Sequence, residues 1–348
     1  MHASDAFFGD IDKSISSIPN YEKLFGQRVA VSGASGLIGA AIMDILLRLN
    51  MRDKANISII ALGRNKNAME KRFSYAGNDG YIFIAHDFLE NDALKIEADY
   101  FVHCAGICSP KLYISSPVET IMGNISGLNS VLNCAKDGKI KRVLYISSSE
   151  VYGIKSNAIP FEESEHGEIN ILDSRSCYPC AKSLCENLCI SYANEYGVDV
   201  VIGRPGHIYG ACTSVNDDRA YAQFFRKALA RENVVLKSAG DQIRSYCYSL
   251  DCGSALLTIL CNGSCGQAYN ISNHNSIVSI REFAQEICNV AGTRLIFANP
   301  TDEEKKSFNK MNTSALDATK LEGLGWTGKF DIHEGVKASL QWTSELLC

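Results

Sequence analysis

Seven residues, Gly33-Ala-Ser-Gly36-Leu-Ile-Gly39, constrain this chain more than any other stretch. They follow a short apolar run, Arg28-Val-Ala-Val-Ser32, and open a segment from 37 to 49 whose apolar residues recur at helical spacing. Glycines three apart let the backbone turn tightly and approach a pyrophosphate, whose charge then sits at a helix N-terminus. Alone, such a triplet is weak. Between a strand and a helix it predicts a dinucleotide held by Gly33, Ser35, Gly36, Leu37, Ile38 and Gly39.

The rest of the chain supplies that context. Further short apolar runs lie at 58–62, 81–85, 100–103 and 142–146, with helical patterns at about 116–136 and 177–196. Apolar strands alternating with helices predict an α/β fold, a Rossmann-type doubly wound parallel sheet covered on both faces. From about 206 the rhythm loosens into a smaller C-terminal α/β substrate lobe, completed by a helix starting near Val278. The expected division is an N-terminal extension over 1–25, a dinucleotide-binding domain over 26–205 and a nucleotide-sugar lobe over 206–348. The chain is expected to cross back to the first domain near 245–270. In the extension, the stretch IDKSISSIPNYEKLF can form a helix lying on the first domain.

Composition removes several classes. Hydrophobic residues make up 46% and charged residues 21% of the 348, a globular balance. The formal net charge is −5 with scattered basic residues, so no nucleic-acid partner is expected. The N-terminus carries acid where a signal peptide carries Lys or Arg, and the longest apolar runs are too short to span a bilayer. A cytoplasmic protein without a membrane partner is expected. Its 14 cysteines then read as reduced, mostly buried thiols. Cys177-Tyr-Pro-Cys180 has metal spacing but no second pair in register, so no metal site is expected.

The second run ends in Leu62-Gly63-Arg64-Asn65, with Gly63 where an acid would bind the adenosine ribose. The missing acid and the arginine favour NADP(H) over NAD, although Arg64 could equally stack on adenine. Asp87 is placed either to accept from the adenine amino group or to cap a helix. Tyr178-x-x-x-Lys182 puts both side chains on one helix face. A nearby ammonium favours phenolate, so the tyrosine can serve as a base near neutral pH. Ser147-Ser148-Ser149-Glu150-Val151-Tyr152-Gly153 ends the fifth strand at the sheet edge where ligands sit.

These segments, with HCAG at 103–106, Asn124, Arg204-Pro-Gly-His-Ile-Tyr-Gly210, Arg244 in QIRSYCYSLD, AYNIS at 268–272 and Leu324-Gly-Trp326, resemble the extended short-chain dehydrogenases/reductases that modify nucleotide sugars. The resemblance runs from about 26 to 345. It implies that Ser148 hydrogen-bonds the sugar hydroxyl, and that Tyr178 is the acid/base with Lys182 lowering its pKa and holding the nicotinamide ribose. It implies that Asn124 orders the helix behind the tyrosine. Arg64, Asn65, Asp87, Phe88, Cys104, Ala105, Gly106 and Pro205 would border the rest of an NAD(P) cofactor. Ser149, Glu150, His207, Arg219 and Arg244 would face a nucleotide-sugar substrate. A homodimer through a four-helix bundle of the segments 116–136 and 177–196 is the family's usual assembly.

Family members begin by moving the C4 hydride of the sugar to the nicotinamide, and then decarboxylate, dehydrate or epimerise. Glu150, two before the tyrosine of VYG, resembles the dehydratases and decarboxylases rather than the epimerases. Arg175-Ser-Cys-Tyr178 is similar to the UDP-glucuronate decarboxylases, and also to GDP-mannose dehydratases. Asn216-Asp-Asp-Arg219 is similar to the decarboxylases' Asn-Asp-Gly-Arg loop. Departures exist: Pro-Cys-Ala follows Tyr178 where decarboxylases have Asp-Glu-Gly, and His207 replaces an asparagine. The expected activity is oxidation at C4 followed by decarboxylation or dehydration, UDP-glucuronate decarboxylation first. The alternatives are an NADPH-dependent reductase of a nucleotide-activated keto sugar, a 4-epimerase, and a non-catalytic dinucleotide sensor.

Overall fold

The computed structural model describes residues 4–347 apart from 78, 90–93, 212–216, 218 and 302–311. It begins with α1 (Asp5–Ile15), capped by the Ser4 hydroxyl, which accepts from the Phe7 N–H at 3.3 Å. The alternating part follows: β1 (Arg28–Ser32), α2 (Leu37–Asp53), β2 (Ser58–Gly63), α3 (Lys66–Arg72), β3 (Ile82–Ala85), β4 (Ala98–His103), α4 (Pro110–Ser115), α5 (Pro117–Lys136), β5 (Ile140–Ile146), α6 (Cys177–Tyr196) and β6 (Asp199–Pro205). Then come β7 (His207–Tyr209), α7 (Ala220–Leu229), β8 (Val234–Leu236), β9 (Ile243–Tyr248), α8 (Ser249–Asn262), β10 (Ala268–Ile271), β11 (Ile277–Ser279), α9 (Ile280–Ala291), β12 (Leu295–Phe297), β13 (Thr313–Ser314), α10 (Thr319–Glu322) and α11 (Ile332–Leu347).

The main sheet has seven parallel strands in the order β10-β6-β5-β4-β1-β2-β3. The order reverses between β1 and β4, and the crevice beyond their carboxyl ends is where such a sheet receives ligands. Ser32 and His103 are register partners there. Strand alternation feeds two cores. Val29, Val31, Val102 and Leu144 pack under α2 and α8, whereas Ala30, Phe101, Val143 and Tyr145 pack under α5 and α6. Helices α2 and α8 cross closely enough that a Cβ on Gly253 would lie 3.1 Å from Ile45 Cδ1.

In the second lobe β9 is the hub: β7 and β13 pair with it in parallel and β11 antiparallel. The helix expected from about Val278 starts at Ile280 instead, because Ile277–Ser279 is spent on the β9 pairing. Ser279 then closes a capping box with Glu282, the two N–H bonds measuring 3.1 and 2.7 Å.

The N-terminal extension is helical earlier than its sequence suggested. Pro19 and Asn20, the latter in the left-handed region (φ 58°), separate α1 from a single 3₁₀ turn at Tyr21–Leu24. The face of α1 is pinned from several sides. Phe7 meets Trp342 edge-on at 5.4 Å, Trp342 Nε1 donates to Asp10 (2.8 Å), Arg48 clamps Asp12 (2.6 and 3.0 Å) and Lys13 pairs with Glu334 (2.7 Å). No helix among the described residues is long and apolar enough to cross a membrane.

Candidate active site

The crevice begins at the turn after β1. Gly33 sits at φ +63°, and a Cβ there would meet the Ala105 nitrogen at 3.0 Å. A Cβ on Gly39 would fall 2.3 Å from the Gly33 carbonyl oxygen. Gly36 caps α2 without a side-chain hydrogen bond, so the first-turn amides around Leu37 and Ile38 keep no capping oxygen. Ser35 is exposed at the tip. Across the crevice Gly106 is exposed, and a Cβ on it would lie 2.6 Å from Asn124 Oδ1. Asn124 itself donates to the Thr120 carbonyl (2.8 Å) and the Ile107 carbonyl (3.3 Å), tying α5 to the loop after β4. This side-chain-free cradle at a helix N-terminus fits a dinucleotide pyrophosphate.

Farther along, the Arg64 side chain is 69% exposed, 3.7 Å from Asp87. Asn65 caps α3, accepting from the Ala68 N–H (3.0 Å), and Asp87 accepts from the Leu89 N–H (3.0 Å). Phe88 is packed inside, its ring 5.2 Å from that of His103. Cys104 is half-buried and burial pushes its thiol up; Ala105 donates its N–H to Ser32 Oγ (3.1 Å). Pro205 is buried at the end of β6.

Helix α6 presents Tyr178 and Lys182 one turn apart. The Lys182 ammonium donates to the Ile146 carbonyl (2.8 Å), lies 5.8 Å from the Tyr178 ring centroid, and is pushed down by burial. Burial likewise raises the Tyr178 phenol, with Cys108 and Glu150 adding to it. A hydrogen bond with Ser148 and the charge of Arg219 pull it back. Ser148 caps a 3₁₀ turn at Ser149–Tyr152 by accepting from the Glu150 N–H (3.2 Å). Ser149 is buried at the start of that turn. Glu150 is half-buried; burial raises its carboxyl, opposed by Arg175 at 3.8 Å and by Arg244. Ser148, Glu150, Tyr178 and Lys182 are thus brought together.

The second lobe closes the other side. Arg244 is buried on β9, donates to the Ile243 carbonyl (2.9 Å), and is pushed down by burial. His207 on β7 is held at about 3, first by burial and then by Arg244 and Arg219, and its Nδ1 is buried without a hydrogen-bond partner among the described residues. Arg219 is clamped by Asp217 (2.5–3.1 Å) at the head of α7. Asn216 and Asp218 of the loop singled out in the sequence lie outside the described residues.

Sequence reasoning overlooked two groups. Tyr113 on α4 stacks on Tyr178, with centroids 4.6 Å apart and planes within 13°. Asp217 orients Arg219. Only the Asp-Asp-Arg run hinted at the second, and no spacing links Tyr113 to Tyr178.

The fold and this cluster define a dinucleotide-binding enzyme of the extended Rossmann type. The model of the NAD dependent epimerase/dehydratase family matches residues 29–272, and the chain belongs to that family. Among curated relatives, UDP-glucuronic acid decarboxylase 5 of Arabidopsis thaliana is 30% identical over 89% of this chain and 87% of its own. UDP-glucuronic acid decarboxylase 1 of Danio rerio is 28% identical over 92% of this chain and 73% of its own. Two solved structures share the fold. One is the dTDP-glucose 4,6-dehydratase DesIV of Streptomyces venezuelae with NAD and TYD bound (TM-score 0.78, 22% identity, 91% of this chain and 97% of that one). The other is UDP-glucuronic acid 4-epimerase from Bacillus cereus with UDP-glucuronic acid and NAD (0.75, 21%, 92% and 99%).

Proposed function

We propose that the protein oxidises UDP-glucuronate at C4 and releases the C5 carboxylate as CO2. The observation that carries this reading is Glu150, a half-buried carboxyl beside Tyr178 and opposed by the charges of Arg175 and Arg244. Relatives named as UDP-glucuronic acid decarboxylases over most of the chain support it.

The nicotinamide, when bound, supplies the hydride acceptor at C4 and the donor that returns it. Tyr178 Oη takes the proton of the C4 hydroxyl, and Ser148 Oγ orients that hydroxyl. Burial raises the Tyr178 phenol, so its ionisation as base requires positive charge at its side, which Arg219 supplies and to which Lys182, its ammonium 5.8 Å from the Tyr178 ring centroid, would add. A 4-ketone makes the C5 carboxylate a β-keto acid, whose C–C bonding electrons can withdraw onto the ketone oxygen as CO2 leaves. Glu150 is the carboxyl group available to move a proton at C5. Arg244 and Arg219 meet the diphosphate or the sugar carboxylate, and neutral His207 offers a hydrogen bond without charge.

For the cofactor we favour NADP(H) over NAD, because Gly63 stands where an acid would repel a 2′-phosphate and Arg64 beside it is exposed. The same turn favours a second reading, an NADPH-dependent reductase of a nucleotide-activated keto sugar with Tyr178 donating the proton. We further assign a homodimer through α5 and α6, supported by the outward-facing Val118, Met122 and Leu184. A cytoplasmic location is supported by the twelve described cysteines, all free thiols.

The test is incubation of purified protein with UDP-glucuronate and either NAD or NADP, reading nucleotide-sugar masses. Loss of CO2 is expected, with Tyr178→Phe slower by about a thousandfold. An unchanged mass with cofactor bound overturns the decarboxylase reading and leaves the reductase, a dehydratase of another nucleotide sugar, or a 4-epimerase, whose product has the same mass.

A further inference from the structure

Outside the groups assigned above, one side chain touches the acid and the stacked ring together. Arg175 lies in a single 3₁₀ turn, Ser174–Ser176, just ahead of α6, its N–H bound to Asp173 Oδ1 at 3.0 Å. Its Nη1 is 3.8 Å from Glu150 Oε2, and its guanidinium carbon is 4.9 Å from the centroid of the Tyr113 ring. Tyr113 in turn stacks on Tyr178 at 4.6 Å. The Cys177 thiol reaches the Tyr113 carbonyl at 3.5 Å, so α4 is fastened to α6 at this point.

We propose that Arg175 is a positioning residue for both acid–base groups: its guanidinium fixes Glu150 and, through the Tyr113 ring, the plane of Tyr178. The proposal rests on the reading that Glu150 and Tyr178 handle protons of the substrate. A planar guanidinium can stack on a ring and pair with a carboxylate at once, whereas a lysine ammonium keeps the charge but not the planar contact. Charge and stacking therefore separate by substitution. Without the charge, burial acts on Glu150 with one opponent fewer, so its carboxyl titrates at higher pH.

The experiment uses the full chain loaded with dinucleotide. In R175Q, kcat for UDP-glucuronate is expected to fall by about tenfold with KM within about twofold, and the alkaline limb of the profile, set by Glu150 as donor of the C5 proton, to move to higher pH. R175K is expected to restore the alkaline limb but not kcat. Y113L is expected to lower kcat and leave the limb in place. R175Q with wild-type kcat and limb overturns the proposal, as does R175K restoring both or neither. An activity-independent arm follows the Glu150 carboxyl stretch by infrared titration, as the difference between each protein and its E150Q counterpart. Its midpoint rises in R175Q and returns in R175K; an unchanged midpoint overturns the pairing. If UDP-glucuronate is not turned over at all, the functional reading falls while the infrared arm still decides the role of Arg175.

Discussion

His103 shows how a single buried residue ties the site to stability. It ends β4 opposite Ser32, whose hydroxyl accepts the Ala105 N–H and so has its own proton to give to His103 Nδ1 at 2.9 Å. Burial, and then the Lys182 charge, push this imidazole down to about 3 from 6.5. Between those values the unfolded chain binds a proton that the folded one refuses. Stability from this residue is therefore complete above 6.5 and lost as pH falls toward 3, about 3 kcal/mol of it by pH 4. Denaturant midpoints measured from pH 7 to pH 4 should fall more steeply for the wild type than for His103→Asn, with His207→Asn in both backgrounds to remove the similarly displaced His207. Parallel curves would contradict the assignment.

At the level of elements, the SSSEVYG segment serves two ends. Its Ser148 and Glu150 face the crevice, but Tyr152 is turned into the protein, where its hydroxyl donates to Asn270 (2.6 Å) and accepts from Arg204 (2.8 Å). Arg204 also forks onto Glu186 of α6 at 2.6 and 2.9 Å, so β6, β10, α6 and the 3₁₀ turn share one buried polar network. Arg204→Met strands the Glu186 carboxylate and should cost about 3–5 kcal/mol in urea unfolding, whereas Arg204→Met with Glu186→Leu should recover most of that. Equal costs for the two variants would contradict a charge-pairing role. The sequence made this half of the fold legible because short apolar runs alternate with helical stretches, two of which, α5 and α6, reach twenty residues each. Tyr178 and Lys182 were legible through their spacing, and Ser148 and Glu150 through the family resemblance of their segment. Strand β11 was not: three residues become a strand only because β9 lies beside them. Tyr113 was not either, because its value comes from a ring contact across the fold.

For the whole molecule, the telling feature is an apolar face that the single chain leaves open. Helices α5 and α6 pack on each other and present Val118, Met122 and Leu184 outward, each at least half exposed. A second copy covering this face predicts a light-scattering mass of twice 38.1 kDa. Met122→Lys combined with Leu184→Lys should return the single-chain mass. A wild type already at that mass would remove the dimer.

The N-terminal helix carries a consequence for how the chain is made. Residues 5–15 leave the ribosome long before the groups they dock on, for the Asp10–Trp342 bond spans 332 positions, and Ser17 waits for Ser254. Until α8 and α11 are made, Phe7 and Ile11, both buried in the finished protein, can lean on α2 and on the Tyr75 ring, 6.1 Å from that of Phe7. This helix is thus made early and fully covered late, and it stays open to a chaperone in between. Its docking registers that residue 342 has arrived.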